Sequence, residues 1–381
     1  KELADTGCVE FLSETYAHSL ASLEDPDEFV AQVKDHDKKI FQLFGKHPVV
    51  FRNTELIYDD DISAMVQNMG FKGVITEGAK HILGWKSPNY VYSSPVAPKL
   101  KLLLKNSKLS DDISFRFSNP DWASYPLTAD KYIDWIASLP EEEQLVNLFM
   151  NYETFGEMQP RESGIFEFMK ALPRFAAERG IEFFTPSEVI SKMKSVGEMP
   201  VMHPISWADE ARDTSAWLGN TLQQEAVKKL YSIGERVRLC QDRRIKQDWY
   251  YLQASDHFFY MSTKHNEDGS VHSHYSPYDS PYTAFTNYMN VLSDFMIRVQ
   301  EQYPESIDNE ELNALLLTIR NQSNEISQLN REVEMLRNNI VKDTTGDFPV
   351  DKPAAEEKPA KKAPAAKKPA AKKTTKKATK K

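Results

Sequence analysis

Acidic and amide side chains recur just beyond short apolar runs in the first half of the chain: Glu14 with His18, Glu55, Glu77, then Asn151 with Glu153. The runs have the length and composition of strands, so these residues share one position, the end of a strand. A carboxylate there can attack as a nucleophile or pass a proton, and two carboxylates can divide those roles. Any one of them alone reads as a solvated loop acid or a helix N-cap; it is the recurrence that points to a site. Other chemistries have no footing. Neither standard glycine-rich phosphate loop is present, no Gly-x-Ser-x-Gly elbow occurs, and no His/Cys/Asp cluster has zinc spacing. His272 and His274, beside Asp268 and Gly269, read as surface histidines. No metal and no cofactor is expected.

The elements that must position these residues alternate along the chain. Strands are expected at 8–12, 49–51, 73–75, 146–150 and 181–184, and helices with apolar residues at three and four spacing at 27–43, 60–69 and 164–179. Thr185-Pro186-Ser187-Glu188 combines an N-cap, a proline at the first helical position and a glutamate at the third, a capping box that starts another helix. This alternation predicts an α/β fold with a parallel sheet, layered or closed as a barrel, with chemistry at the strand C-termini. From about 205 to 303 the pattern becomes helical and aromatic, with segments 209–237, 248–261 and 282–303. Trp207, Trp217, Trp249, Tyr250 and Tyr251 fall there, chiefly as core residues of a helical domain packed on the barrel.

Several stretches are too particular for composition to explain. They are Glu14-Thr15-Tyr16-Ala17-His18-Ser19-Leu20, Phe51-Arg52-Asn53-Thr54-Glu55-Leu56-Ile57-Tyr58, Ile82-Leu83-Gly84-Trp85-Lys86-Ser87-Pro88-Asn89-Tyr90-Val91-Tyr92 and Asn151-Tyr152-Glu153-Thr154-Phe155-Gly156-Glu157. Ser206-Trp207-Ala208-Asp209 and the run from Arg212-Asp213 through Trp217-Leu218-Gly219-Asn220 complete the set. Together they resemble glycoside hydrolase family 57, in its α-amylase branch, over residues 1 to about 298. The resemblance implies an incomplete seven-stranded β/α barrel followed by a helical domain, acting on α-glucans with retention of anomeric configuration. It implies Glu55 as nucleophile and position 151 as the acid/base. His18, Glu77, Trp85, Glu153, Trp207, Asp209 and Asp213 match positions around the sugar-binding cleft.

The chain departs from that pattern where it matters most. A retaining glycosidase needs two carboxyl groups about 5 to 5.5 Å apart, and Asn151 has no acidic proton to give. General acid catalysis, worth roughly 10² to 10⁴ in rate, is lost with it. Glu153 lies two residues on, which displaces a side chain by about 6 to 7 Å along an extended chain. Met158 stands where the branch has a histidine. The family's opening His-Gln-Pro motif is absent, so the barrel is expected to be N-terminally truncated. Two functions follow as expectations: an α-amylase-like hydrolase with a degraded acid/base position, or an inactive glucan-binding protein.

The domain plan is a barrel portion at 1–200, a helical domain at 201–303, a coiled coil at 304–343 and a disordered tail at 344–381. Apolar residues from Leu312 to Ile340 fall in a three-four alternation broken only by Gln322, the seam of a parallel homodimer. The tail is lysine-rich. From Lys352 onward 12 lysines face 2 glutamates, a tail of +10 that leaves −19 on the rest of a chain whose formal charge is −9. An acidic body repels phosphate backbones, so weak contact with nucleic acid or an acidic surface is expected of the tail alone. Two cysteines, Cys8 and Cys240, suit a reducing compartment, and no apolar run reaches the roughly 18 to 20 residues of a membrane span. A cytoplasmic protein with no membrane contact is expected.

Overall fold

The computed structural model describes residues 1–266, 269–270 and 276–302, together with positions 318, 322 and 329. Residues Lys1–Ile307 form one compact unit. The predicted coiled coil and tail lie outside the described residues except for Thr318, Gln322 and Leu329, which are helical and exposed.

Helices and strands alternate as expected through the first part. Short helices α1 (Glu2–Asp5) and α2 (Ala21–Glu24) lead to α3 (Pro26–Phe44), which starts where the Asp25 carboxylate accepts the Glu28 amide and stops at Gly45 in the left-handed region. Strand β1 (Val50–Arg52) is followed by α4 (Asp60–Asn68), capped by Asp59. Next come β2 (Gly73–Glu77), α5 (Lys80–Leu83), β3 (Val91–Ser93) and β4 (Lys101–Lys105). Helices α6 (Ser107–Ser114), α7 (Ala129–Ala137), α8 (Ile165–Glu178) and α9 (Pro186–Lys192) complete this part, and α9 opens with the expected Thr185 capping box. The rest is helical apart from a small antiparallel ladder of His265–Asn266 with Gly269–Ser270: α10 (Ser215–Leu218), α11 (Thr221–Tyr231), α12 (Gly234–Leu239), α13 (Arg243–Leu252), α14 (Ser255–Phe259) and α15 (Pro281–Gln302).

The sheet runs β1-β2-β4-β3, with the first three parallel and β3 antiparallel to β4. Two predicted strands are reduced to single parallel bridges. The 8–12 run meets β1 through Ser13 and Phe51, and the 146–150 run meets the end of β4 through Asn147 and Lys105. The 181–184 prediction is overturned, because that segment joins no ladder and only delivers α9 across the lower mouth of the sheet. There Ile190 packs on Gly73, and the Lys101 ammonium donates to the carbonyls of Ile190 and Met193, 2.5 Å each. Strands β3 and β4 were not anticipated. Three leucines between two lysines in β4 carry no alternation, and a short apolar run of that kind fits a helix as well as a buried strand.

Side chains alternate across these strands, and the two faces feed different cores. Phe51, Val74, Leu102 and Leu104 point outward into the largest cluster, which they share with Trp217, Leu230, Trp249, Phe258 and Leu292 of the helical part. Val50, Ile75 and Leu103 point inward, packing with Val189 and Ile190 of α9 and with Leu12, Leu145, Phe149 and Trp207. The alternation fixes what lies further along each strand. Arg52, Glu77 and Lys105 fall in the inward register of their strands. Leu145 and Phe149 carry the same register toward Asn151, which is still extended at φ −73 and ψ 155.

Candidate active site

Glu55 follows β1 in a 3-10 turn, Thr54–Leu56, in which Glu55 and Leu56 hold φ of 54° and 55°. Left-handed backbone at non-glycine residues costs on the order of 1–3 kcal/mol each and persists only where the surroundings impose it. Here they do. Asn53 donates to the Ile57 carbonyl (2.9 Å) and to Ser22 Oγ (2.8 Å), Thr15 and Thr54 share a 2.7 Å hydrogen bond, and Thr76 Oγ1 donates to the Leu56 carbonyl (3.2 Å). The turn is buried, and its constraint aims the Glu55 carboxylate at two donors.

Those donors are His18 and Trp207. Glu55 Oε1 lies 2.8 Å from His18 Nε2, and Trp207 Nε1 donates to Oε2 at 2.5 Å. The other face of the imidazole approaches Glu14, whose Oε2 also accepts from Arg52 at 2.7 Å. The result is an alternating row of charge, Arg52, Glu14, His18 and Glu55. Burial alone raises Glu55, but His18, Trp207 and Arg52 reverse this and hold its carboxyl below the usual range. Burial alone lowers His18, yet the hydrogen bonds to Glu14 and Glu55 push it up to about 9. Glu14 is likewise raised by burial and brought down to about 2, chiefly by His18 and Arg52.

These shifts set a pH window for stability. A group with a raised folded pKa stabilises below its ordinary value, 6.5 for His18, and loses that contribution as pH climbs through about 9. Glu14, depressed from 4.5 to about 2, stabilises above 4.5 and fails as pH falls through 2. The melting temperature should therefore be highest between about pH 4.5 and 6.5 as far as this row is concerned. Melting curves of wild type and His18→Gln from pH 5 to 9.5 check it: the wild type should lose its advantage over the variant as pH rises past about 6.5. A constant gap would show that His18 is not protonated by its neighbours.

Behind Trp207 lies a buried cationic support. Lys105, 1% exposed, sits 5.1 Å from the indole centroid, 3.7 Å from Glu77 Oε2 and 3.4 Å from Asp111 Oδ1. Arg212 donates to the Trp207 carbonyl and, at 3.3 Å, to Asp111 Oδ2. Glu77 is thus wholly buried, bound by Ser107 and facing Lys105. Asp209 accepts from Lys264 at 2.6 Å, and Lys264 also reaches Ser215, which caps Asp213 through its amide at 2.9 Å. Burial raises Asp213, but the bonds from Ser215 and the charges of Lys264 and His81 bring it below the carboxylate range.

Of the anticipated residues, His18, Glu55 and Trp207 meet directly, Glu77 adjoins them through Lys105, and Asp209 with Asp213 form a second knot around Lys264. Asn151 opens the 3-10 turn Tyr152–Thr154 in the inward register, and its side-chain amide has no hydrogen-bond partner among the described residues. Glu153 is exposed in that turn, and Trp85, 93% exposed after α5, stands clear of the cluster. Sequence reading did not single out Arg52, Lys105, Asp111, Arg212 and Lys264. Arg52 and Arg212 lie inside the quoted motifs, whereas Lys105 ends the strand that was missed. Among the described residues no three His, Cys, Asp or Glu side chains gather as a metal site, and no helix is long and apolar enough to cross a membrane.

Comparison with known proteins gives the family and the fold. Residues 1–202 match glycosyl hydrolase family 57. The chain belongs to that family. A protein of Methanocaldococcus jannaschii named "Putative alpha-amylase" is 45% identical over 318 residues, covering 80% of this chain and 67% of the relative. Two solved structures share the fold at low identity. The GH57-type branching enzyme of Pyrococcus horikoshii superposes with a TM-score of 0.58 at 16% identity, over 85% of this chain and 71% of its own. The α-amylase AmyC of Thermotoga maritima does so with 0.53 at 13% identity, over 83% and 71%. The architecture of this family-57 chain is accordingly a (β/α)7-like barrel with helices added, and by family it is a glycoside hydrolase.

Proposed function

We propose that this family-57 chain acts on α-glucans by the retaining route, with Glu55 as the nucleophile and Asn151 at the position of the missing general acid. The single observation that carries the reading is the state of Glu55. A nucleophilic carboxylate must be ionised and aimed, and His18 and Trp207 favour the anionic form of Glu55 on a turn tied down by Asn53, Thr54 and Thr76. In the retaining sequence its oxygen attacks the anomeric carbon while the bond to the leaving oxygen breaks, and a second carboxyl supplies that oxygen's proton. Asn151 can hold a hydroxyl through hydrogen bonds but has no such proton. Glucans that leave as alcohols should therefore react slowly, and donors that leave as stable anions should not suffer.

Asn151 also favours a second reading, a glucan-binding protein that keeps the cleft and has lost turnover. One experiment separates them. The wild-type chain is given α-glucosyl fluoride and, separately, a maltooligosaccharide, with fluoride release and new reducing ends measured. Fluoride release with little glucan hydrolysis supports the first reading. Saturable binding of the maltooligosaccharide with neither reaction supports the second, and absence of both binding and reaction removes α-glucans altogether.

A further inference from the structure

His18 holds φ of 50°, uncommon for any residue but glycine, and residues on either side of it are tied to one buried amide. We infer that Gln32 is a positioning residue for His18, and that the helical part of the protein reaches the Glu55 carboxylate through it. Gln32 lies on the inner face of α3 with no exposed surface. Its Oε1 accepts from the Ala17 amide at 3.2 Å and from Ser19 Oγ at 2.9 Å. Its Nε2 donates to Glu28 Oε1 and to Gln253 Oε1, 2.9 Å each. An amide has two donor hydrogens and two acceptor lone pairs, and all four are used. Because the Ala17 amide can only donate, the atom facing it must be the oxygen, so the orientation of the group is settled by its partners.

Gln253, at the end of α13, is the link to the helical part. It returns a hydrogen bond to Glu28 at 3.0 Å and donates to the Trp249 carbonyl at 3.3 Å. The next two residues grip the loop directly. Ala254 pairs antiparallel with Ser19, and the Ser255 amide donates to the His18 carbonyl at 2.9 Å. Thr15 closes the circuit by accepting from the Ser19 amide at 3.0 Å while bonding Thr54, in the turn that carries Glu55. The imidazole is thus presented to Glu55 by a clamp whose two jaws are α3 and the 253–255 elbow. The charged groups that face the ring are Glu14 on its own loop, Glu55 on the turn after β1 and Arg52 on β1.

The test uses two variants of the full chain. Gln32→Met keeps much of the side-chain volume and removes all four hydrogen bonds, leaving Glu28 and Gln253 buried with fewer partners, which can cost the fold. Ser19→Ala is gentler: it removes the hydroxyl that donates to Gln32 Oε1 at 2.9 Å and leaves the Ala17 bond and the Gln32 contacts with Glu28 and Gln253 in place. The His18 ring titration is followed by NMR without any sugar, so it stands whether or not the glucan reading does. A midpoint that falls from about 9 toward 6.5 in a variant that folds as wild type is the expected result. A kinetic arm, which rests on the function proposed above, should show kcat on α-glucosyl fluoride down by about 10-fold, with KM nearly unchanged and the alkaline limb moved to lower pH. If Gln32→Met does not fold, Ser19→Ala decides alone. A folded variant in which His18 titrates as in wild type overturns the inference, whatever happens to turnover.

Discussion

Asn151→Asp should raise hydrolysis of unactivated α-glucan by about 10² to 10⁴, the usual worth of a positioned general acid. The substitution replaces an amide nitrogen by an oxygen and changes almost nothing in volume, so packing beside Tyr152–Thr154 should be kept. In the proposed mechanism the wild type lacks protonation of the leaving oxygen, and only substrates that need it should gain. Glucan affinity, measured calorimetrically, should barely move, because carboxylate and amide both bond sugar hydroxyls. α-Glucosyl fluoride should gain little in the first step, since fluoride departs as the anion. Initial rates on maltooligosaccharide and on the fluoride, for both proteins, check the contrast. If wild type already hydrolyses maltooligosaccharide at a rate that Asn151→Asp does not improve, another group supplies the acid, and Glu153 is the first to replace.

Glu55→Gln should reduce the reaction with α-glucosyl fluoride by about 10⁴ or more, the order found when the nucleophile of a covalent mechanism is removed. That corresponds to roughly 5.5 kcal/mol of transition-state stabilisation. The amide keeps the shape of the carboxylate and an oxygen for the Trp207 N–H, so the turn around position 55 should survive. The charge does not. His18 loses the nearer of its two carboxylate partners, and its pKa should fall from about 9 toward the ordinary value while Glu14 remains. Fluoride release followed at pH 6, beside an NMR titration of His18, reads both effects. Release that persists in Glu55→Gln would transfer the nucleophile to another side chain.

Much of this molecule was readable before its coordinates, and the misses have physical causes. Helix α3 was legible because an amphipathic stripe runs between an aspartate cap and a left-handed glycine. The Thr185 box was legible because its residue types have few other uses at that spacing. Strand β4 was not, since its leucines alternate between two cores and both faces demand an apolar side chain. Missing β4 hid Lys105, and with it the reason Glu77 is buried against a cation. Glu55, His18 and Trp207 were found through their motifs, but the turn that aims them was not, because nothing in Thr54-Glu55-Leu56 announces two consecutive left-handed residues. Gln32 did leave a trace. It stands with Glu28 at helical spacing beside Phe29 and Val33, two polar residues on an otherwise apolar stripe, and such breaks mark buried polar networks.

If Glu55 is a competent nucleophile whose acid partner has been replaced by an amide, the covalent intermediate should be visible on it. Mass spectrometry of the wild-type protein after brief incubation with α-glucosyl fluoride, first intact and then as peptides, looks for that species itself. Fluoride needs no proton to leave, so the glucosyl ester on Glu55 should form; water then attacks it without a general base at position 151, so the ester should persist. One added anhydroglucose is expected, mapped to Glu55, absent in Glu55→Gln and short-lived in Asn151→Asp. An unmodified protein that has released fluoride, or a sugar carried on any other residue, would overturn the assignment of Glu55.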